Sequence, residues 1–573
     1  MNLVQNCRDL LVYSHEVMCG VLIIPVLFGC CVCGFDVMNV QLENCTIVGR
    51  KLYTIFENKP YAVFWDIPYG QPPIGILRFK SPKATQGCVK GTSDHTTLNI
   101  KTCPRQLDED CLHLSIHMPI SHEQTLNSVL VWLHEDSKQH GPDFLIDEDI
   151  IVVTISYRTS IFGFLNTEDE FAQGNMGAKD ILLALKWIRD KISYFNGDSS
   201  KVTVVGSEKS AVLVASLLLS PAAEDLFSRV IIHGGSALSP ADYRNYNFDV
   251  VNKLYWKLNG PFEKLNRTRL YELLANASVD TLISASQDLF DSTEVRDSQR
   301  LINTFGPTVE KTKPSFMSKP PTTVYKRKLN NNNVAVMMGY TTLDSLYKLH
   351  GFEKNRKLLK NLNYNFQYVL PFEGSKDEFL SKRYKKIRRS IMDFYFVNGT
   401  IGEGSLRRYA KYVSDQVIYP VFRQARLQAE VSPDIVYLYR FSFKGAFNVV
   451  WDITVPGLEW RGATAGDEIC YLFKCKSVNG AYNSTGVSNE RHFIKKIARL
   501  LANFAKFGNP TPHKQDDLLE NLEWSPLENH KVTRVLSLAR KLKMVNFPEL
   551  ERMNFWDRLQ TDFFADRLPK DDL

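Results

Sequence analysis

Short apolar runs set between turn residues occupy residues 36–90, the spacing expected of small β-strands. Residues 128–133 and 150–156 are compact runs rich in β-branched side chains, and a continuous apolar run suits a strand covered on both faces. Residues 178–192 change period: Leu182, Leu183, Leu185, Trp187 and Ile188 recur at helical spacing and give a broad apolar face. Residues 202–205 predict another strand, ending at Gly206, followed by a buried helix over 211–219. Residues 229–233 predict a strand closing on Gly234-Gly235, and residues 437–443 a late core strand. The stretch from about 240 to 430 carries a more charged helical pattern and reads as insertions. Strands alternating with helices imply an α/β fold, a large central, mostly parallel sheet with helices on both faces.

The chain has 573 residues, 44% of them hydrophobic, enough for a large core. The formal net charge of +7 is small for this length, and the two signs are interspersed. It reads as a mildly basic surface, not a polyanion site, and no run resembles a nucleic-acid arm. No internal repeat, low-complexity tract or long linker interrupts the chain.

An uncharged apolar stretch covers residues 17–35, and Val32-Cys33-Gly34 offers small residues for signal-peptidase cleavage. Residues 1–34 are therefore expected to be a signal peptide, with an uncleaved membrane anchor as the alternative. Residues 35–565 are expected to form one domain, and residues 566–573 a tail. The tail ends Lys570-Asp571-Asp572-Leu573, which resembles a retention signal of the endoplasmic reticulum. Six cysteines follow the apolar stretch, Cys45, Cys88, Cys103, Cys111, Cys470 and Cys475. An even set of this kind suggests disulfides formed in an oxidising compartment, and its spacing does not suit zinc. N-x-[S/T] sequons at Asn44, Asn266, Asn276, Asn398 and Asn483 fit a glycoprotein of the secretory pathway, either secreted or lumenal.

Several segments, in order along the chain, carry a resemblance. They are Ile67-Pro68-Tyr69-Gly70 through Phe79, Glu109-Asp110-Cys111-Leu112, Tyr157-Arg158 with Phe162-Gly163-Phe164-Leu165, and Gly174-Asn175-Met176-Gly177 through Asp180. Further along come Phe195-Asn196-Gly197-Asp198 through Gly206, Phe504 through Pro512, and Arg552-Met553-Asn554-Phe555-Trp556. Together they resemble the carboxylesterase/cholinesterase family of α/β-hydrolases over residues 45 to 560. The resemblance implies a single large α/β-hydrolase domain with a gorge leading to a serine at a sharp strand–helix turn. It also implies a Cys103–Cys111 disulfide, with Cys45–Cys88 and Cys470–Cys475 as further pairs.

The family's chemistry needs a nucleophilic serine, a histidine base, an orienting carboxylate and an oxyanion hole. The serine belongs in G-x-S-x-G, but the aligned segment here is Gly206-Ser207-Glu208-Lys209-Ser210. Glu208 holds the nucleophile's position, and a carboxylate attacking an ester would form a less stable anhydride. Ser207 and Ser210 flank that position and are expected to point elsewhere. The oxyanion-hole glycines correspond to Glu135 and Asp136 in His134-Glu135-Asp136-Ser137. Two acids there would repel an oxyanion, and one lost donor costs about 10²–10³ in rate. The base position in Gly462-Ala463-Thr464-Ala465-Gly466-Asp467-Glu468 is Ala465, and Asp344 aligns with the triad acid. His233, at a strand end near the same sheet edge, reads as structural.

These departures predict a chain that is not an enzyme. In this respect it is similar to neuroligins, neurotactin, glutactin and gliotactin, family members that present the hydrolase surface to partner proteins. The expected partner is a protein, or a small ligand in the old gorge. Glu208 at a helix N-terminus, with Glu135 and Asp136, would make the gorge floor acidic and suit a cation. No cofactor, metal or nucleic acid is expected. The competing reading is a carboxylic ester hydrolase with an atypical active site.

Overall fold

The computed structural model describes residues 36–564 apart from 86, 88–90, 99–102, 104–108, 122–124, 136–138, 241–247, 262, 291–303, 328–332, 353, 366–370, 372–380, 433–434, 449–458 and 529–531. The expected signal segment, the C-terminal tail, Cys88 and Asp136 lie outside the described residues.

An antiparallel edge opens the chain: β1 (Val37–Leu42), β2 (Cys45–Tyr53) and β3 (Pro60–Pro68), with the short β4 (Gly91–Asp94) beside β2. Next come β5 (His113–Pro119), β6 (Asn127–Leu133), the two-residue β7 (His140–Gly141) and β8 (Ile151–Ile155). The later strands are β9 (Gly197–Ser207), β10 (Arg229–His233), β11 (Ala335–Thr341), β12 (Val436–Phe441), β13 (Lys474–Cys475), β14 (Arg534–Leu538) and β15 (Lys543–Asn546). The main sheet runs β1-β2-β3-β5-β8-β6-β9-β10-β11-β12-β14-β15, and β7 pairs with β13 separately. From β8 to β14 every neighbouring pair is parallel. The sheet thus has the mostly parallel centre that the apolar runs predict.

The longer helices that pack on the sheet and on one another include α1 (Met176–Lys191), α2 (Lys209–Leu217), α3 (Lys382–Tyr395), α4 (Leu406–Val431), α5 (Ser488–Phe507) and α6 (Leu550–Phe564). Successive strand residues face opposite sides of a sheet, and the two cores separate accordingly. Val129, Val131, Val204, Ile232 and Met338 pack with Ile181 and Leu185 of α1 and Val214 of α2. Leu130, Trp132, Val205, Ile231 and Met337 pack with Ile497, Leu501 and Phe504 of α5. Because both faces are covered, the strands read as unbroken apolar runs, not as alternating ones.

Cys103 and Cys111 are joined by a disulfide with Cα atoms 5.3 Å apart. Cys470 and Cys475 form another, at 5.2 Å, and Cys45 is also disulfide-bonded. Asn44, Asn266, Asn276, Asn398 and Asn483 are all exposed. No helix among the described residues is long and apolar enough to cross a membrane.

Candidate active site

In an open parallel sheet, ligands gather at the carboxyl ends of the strands. Ser207 ends β9 and His233 ends β10, and the two are register partners. His233 is also level with Gly339 in β11. Between β9 and α2 the chain turns in a single residue, Glu208, at φ 54° and ψ −120°. That backbone is disfavoured for a residue with a Cβ and persists only where its surroundings dictate it. Two glycines make room for it. A Cβ at Gly206 would lie 2.6 Å from the Ser210 carbonyl oxygen, and one at Gly235 would lie 2.7 Å from that of Glu208. The Glu208 N–H donates to the His233 carbonyl at 3.0 Å, tying the turn to the neighbouring strand.

The flanking serines are engaged elsewhere. Ser207 Oγ donates to Glu468 Oε1 at 2.8 Å, and Ser210 Oγ is 3.0 Å from the Tyr157 hydroxyl. Glu208 therefore carries the functional group that the turn presents. Its side chain is solvent-accessible yet crowded by protein. That burial, followed by the charges of Glu468 and Asp344, raises its carboxyl to about 7.

Three other charged groups stand behind it, all buried. His233 Nδ1 is 2.8 Å from the Tyr439 hydroxyl, and its Nε2 is 3.4 Å from Glu468 Oε1. Burial alone would lower the imidazole's pKa, but Glu468, Asp344 and Glu208 reverse the effect and hold it raised. Burial opposes ionisation of Glu468 too, and the His233 charge with the Ser207 hydrogen bond wins, so its carboxyl is lowered. Asp344 accepts from Thr341 Oγ1 at 2.8 Å, and burial raises its carboxyl to about 6. Its carboxyl lies near the turn: a Cβ at Gly234 would be 3.6 Å from Asp344 Oδ2 and 4.0 Å from Glu208 N.

Ala465 is brought to the same place, its N–H donating to the Asp344 carbonyl at 3.1 Å. Glu135 follows β6 and approaches Lys209 Nζ at 3.8 Å. Glu135, Lys209 and Val212 border a recess of about 710 Å³, walled also by Tyr157, Phe164 and Phe305. That size suits a small organic molecule. The sequence reading assigned no role to Glu468. Nothing in the residues around it announces that it will fold against His233. Among the described residues, no group of three or more His, Cys, Asp or Glu side chains could hold a metal ion.

A parallel sheet wrapped by helices, with a one-residue strand–helix turn at its carboxyl edge, defines an α/β-hydrolase. Its fold is similar to that of juvenile hormone esterase from Manduca sexta with OTFP covalently attached, with a TM-score of 0.71 and 23% identity over 92% of this chain and 100% of that one. In sequence it is 25% identical to juvenile hormone esterase of Tribolium castaneum, over 88% of each chain. It is 29% identical to esterase E4 of Myzus persicae, over 86% of this chain and 91% of that one. Residues 36–556 match the carboxylesterase family, and the chain belongs to it.

These comparisons correct one expectation. The altered serine, histidine and glycine positions predict a chain that is not an enzyme, yet the relatives matched over most of its length are named esterases, which points to a hydrolase. That expectation equated hydrolysis with a serine nucleophile. It weighed the Glu208 carboxylate as a nucleophile and as a site for a cation, not as a base.

Proposed function

We propose that the protein is a carboxylic ester hydrolase with an atypical active site, in which the Glu208 carboxylate acts as general base on a water molecule. The supporting observation is the position of Glu208: the tip of a one-residue turn, next in the chain to Lys209, which borders the recess, with a pKa near neutrality. A base works best when its pKa lies near the working pH. The carboxylate takes a proton from water as the water oxygen bonds to the ester carbonyl carbon. The protonated Glu208 then gives that proton to the departing alkoxide as the C–O bond breaks. This restores the carboxylate and leaves one acid and one alcohol.

The negative charge that develops on the carbonyl oxygen falls near the start of α2. The first amides of a helix lack partners within it and favour an anion. The His233 imidazolium, set among Glu208, Asp344 and Glu468, limits the repulsion that three acids would otherwise exert on one another. The disulfides and the five exposed sequons support a secretory-pathway setting for this activity.

The test is turnover of a short-chain aryl ester by the purified protein and by Glu208→Gln, which keeps the side chain's size. The expected loss is about 10²–10⁴-fold in kcat. Equal turnover by the two proteins rules the reading out.

A further inference from the structure

Read along the chain, the cations look interspersed; in the folded molecule some of them gather. Helix α3 has the sequence KRYKKIRRSIMDFY. Tyr384, Ile387, Ile391 and Met392 face the core, while Lys382, Lys385, Lys386 and Arg389 are exposed. Positions i, i+3, i+4 and i+7 share one helix face, so the four form a cationic stripe about 10 Å long. The stripe continues onto adjoining segments. Arg388 donates to the Asn363 carbonyl, and Asn363 Nδ2 donates to the Ile401 carbonyl at 2.6 Å. Exposed Lys354 and Lys357 precede Asn363, Lys360 beside them pairs with Glu403 at 2.8 Å, and exposed Arg407, Arg408 and Lys411 follow Ile401 at the start of α4. Arg408 reaches back to the Tyr395 carbonyl at the end of α3.

This arrangement works against the helices that carry it. A helix N-terminus favours acids and disfavours cations, and like charges three or four residues apart repel. Neither α3 nor α4 has an acid in its first turn. Among the described residues, no carboxylate pairs with Lys382, Lys385, Lys386 or Arg389; the acid before α4, Glu403, is taken up by Lys360. Charges held where they cost helix stability, on two helices side by side, point to an anionic partner that compensates them.

We infer that this face binds a sulfated polysaccharide. A linear chain with regularly spaced anions fits a stripe of cations along a helix. The disulfides fit a compartment where such polymers, and not nucleic acids, are the abundant polyanions. Binding would rest on release of counterions and so weaken steeply with salt, as for other linear polyanions.

The test uses the full chain on immobilised heparin, eluted with a salt gradient. One variant combines Lys382→Glu, Lys385→Glu and Lys386→Glu. A control makes the same change in net charge at exposed sites elsewhere, with Lys186→Glu, Lys257→Glu and Lys541→Glu. The wild type and the control are expected to be retained. The α3 variant is expected to pass through, with its affinity for a heparin oligosaccharide reduced at least about tenfold. Its thermal midpoint is expected to stay level or rise, because acids suit that helix end. If the variant fails to fold, Lys→Gln at the same three positions replaces it, with the same expected loss of retention. An equal loss of retention by the α3 variant and the control overturns the inference. So does failure of the wild type to bind heparin, including the case where it binds phosphatidylserine vesicles instead.

Discussion

Two clusters of charged side chains in this molecule are built on opposite terms. Arg158 and Asp180 form a closed pair: Arg158 Nε and Nη2 donate to the two Asp180 oxygens at 2.8 and 2.7 Å, and the Arg158 N–H adds a third bond at 3.0 Å. At the carboxyl edge of the sheet, Glu208, Asp344 and Glu468 share a single imidazole, that of His233. The closed pair matches one charge with one charge and locks α1 to the loop after β8. The open group has more acids than cations, so two of its carboxyls are raised toward neutrality. Mismatch of this kind is one way in which a site brings carboxyls toward the range useful for acid–base chemistry.

The largest expected effect belongs to the closed pair. Asp180→Ala leaves a guanidinium buried without its partner and is expected to cost about 3–5 kcal/mol in denaturant unfolding. A loss under about 1 kcal/mol would mean that the pair does not carry the locking role given to it.

Asp344→Asn is expected to move stability the other way. A carboxyl raised from 3.8 to about 6 in the folded state contributes stability below the unfolded value and loses it as pH rises through the folded one. At neutral pH the ionised Asp344 is therefore a burden, and Asn removes it. The gain in unfolding free energy is expected to reach about 3 kcal/mol near neutral pH and to vanish in mild acid. Destabilisation by Asp344→Asn near neutral pH would show the carboxylate to be paired, and the contrast between the two groups would fall.

The smallest effect is Tyr439→Phe. It removes the hydroxyl that meets His233 Nδ1 at 2.8 Å, with an expected loss of about 1 kcal/mol. The loss should be the same for wild type and for Asp344→Asn, since the tyrosine hydroxyl bonds the imidazole and not Asp344. Strong non-additivity in that double-mutant cycle would extend the open group to Tyr439.

Much of the fold was legible from residue pattern because the central strands are covered on both faces. The run predicted at 229–233 is β10 itself, and those at 128–133 and 150–156 differ from β6 and β8 by a residue at the ends. The predicted strand at 202–205 is only the apolar end of β9. Its first half, through Asp198, Ser199, Ser200 and Lys201, is polar or exposed and carries no burial signal. The turn was legible as well, since Gly206 marks where Glu208 must bend. The charge network was not. Glu468 meets Ser207 and His233 across a long sequence separation, and no local period reports such a contact. Nor does a serine-centred motif say what a carboxylate in its place can do, because that depends on the burial and neighbours that raise it.

The most direct test of Glu208 as the working base is the pH dependence of kcat/KM for a short-chain aryl ester. The rate is expected to rise with pH through an inflection near 7, where the Glu208 carboxyl loses its proton, and Glu208→Gln should lack that limb. An inflection that persists unchanged in Glu208→Gln would assign the acid–base step to another group and contradict the account.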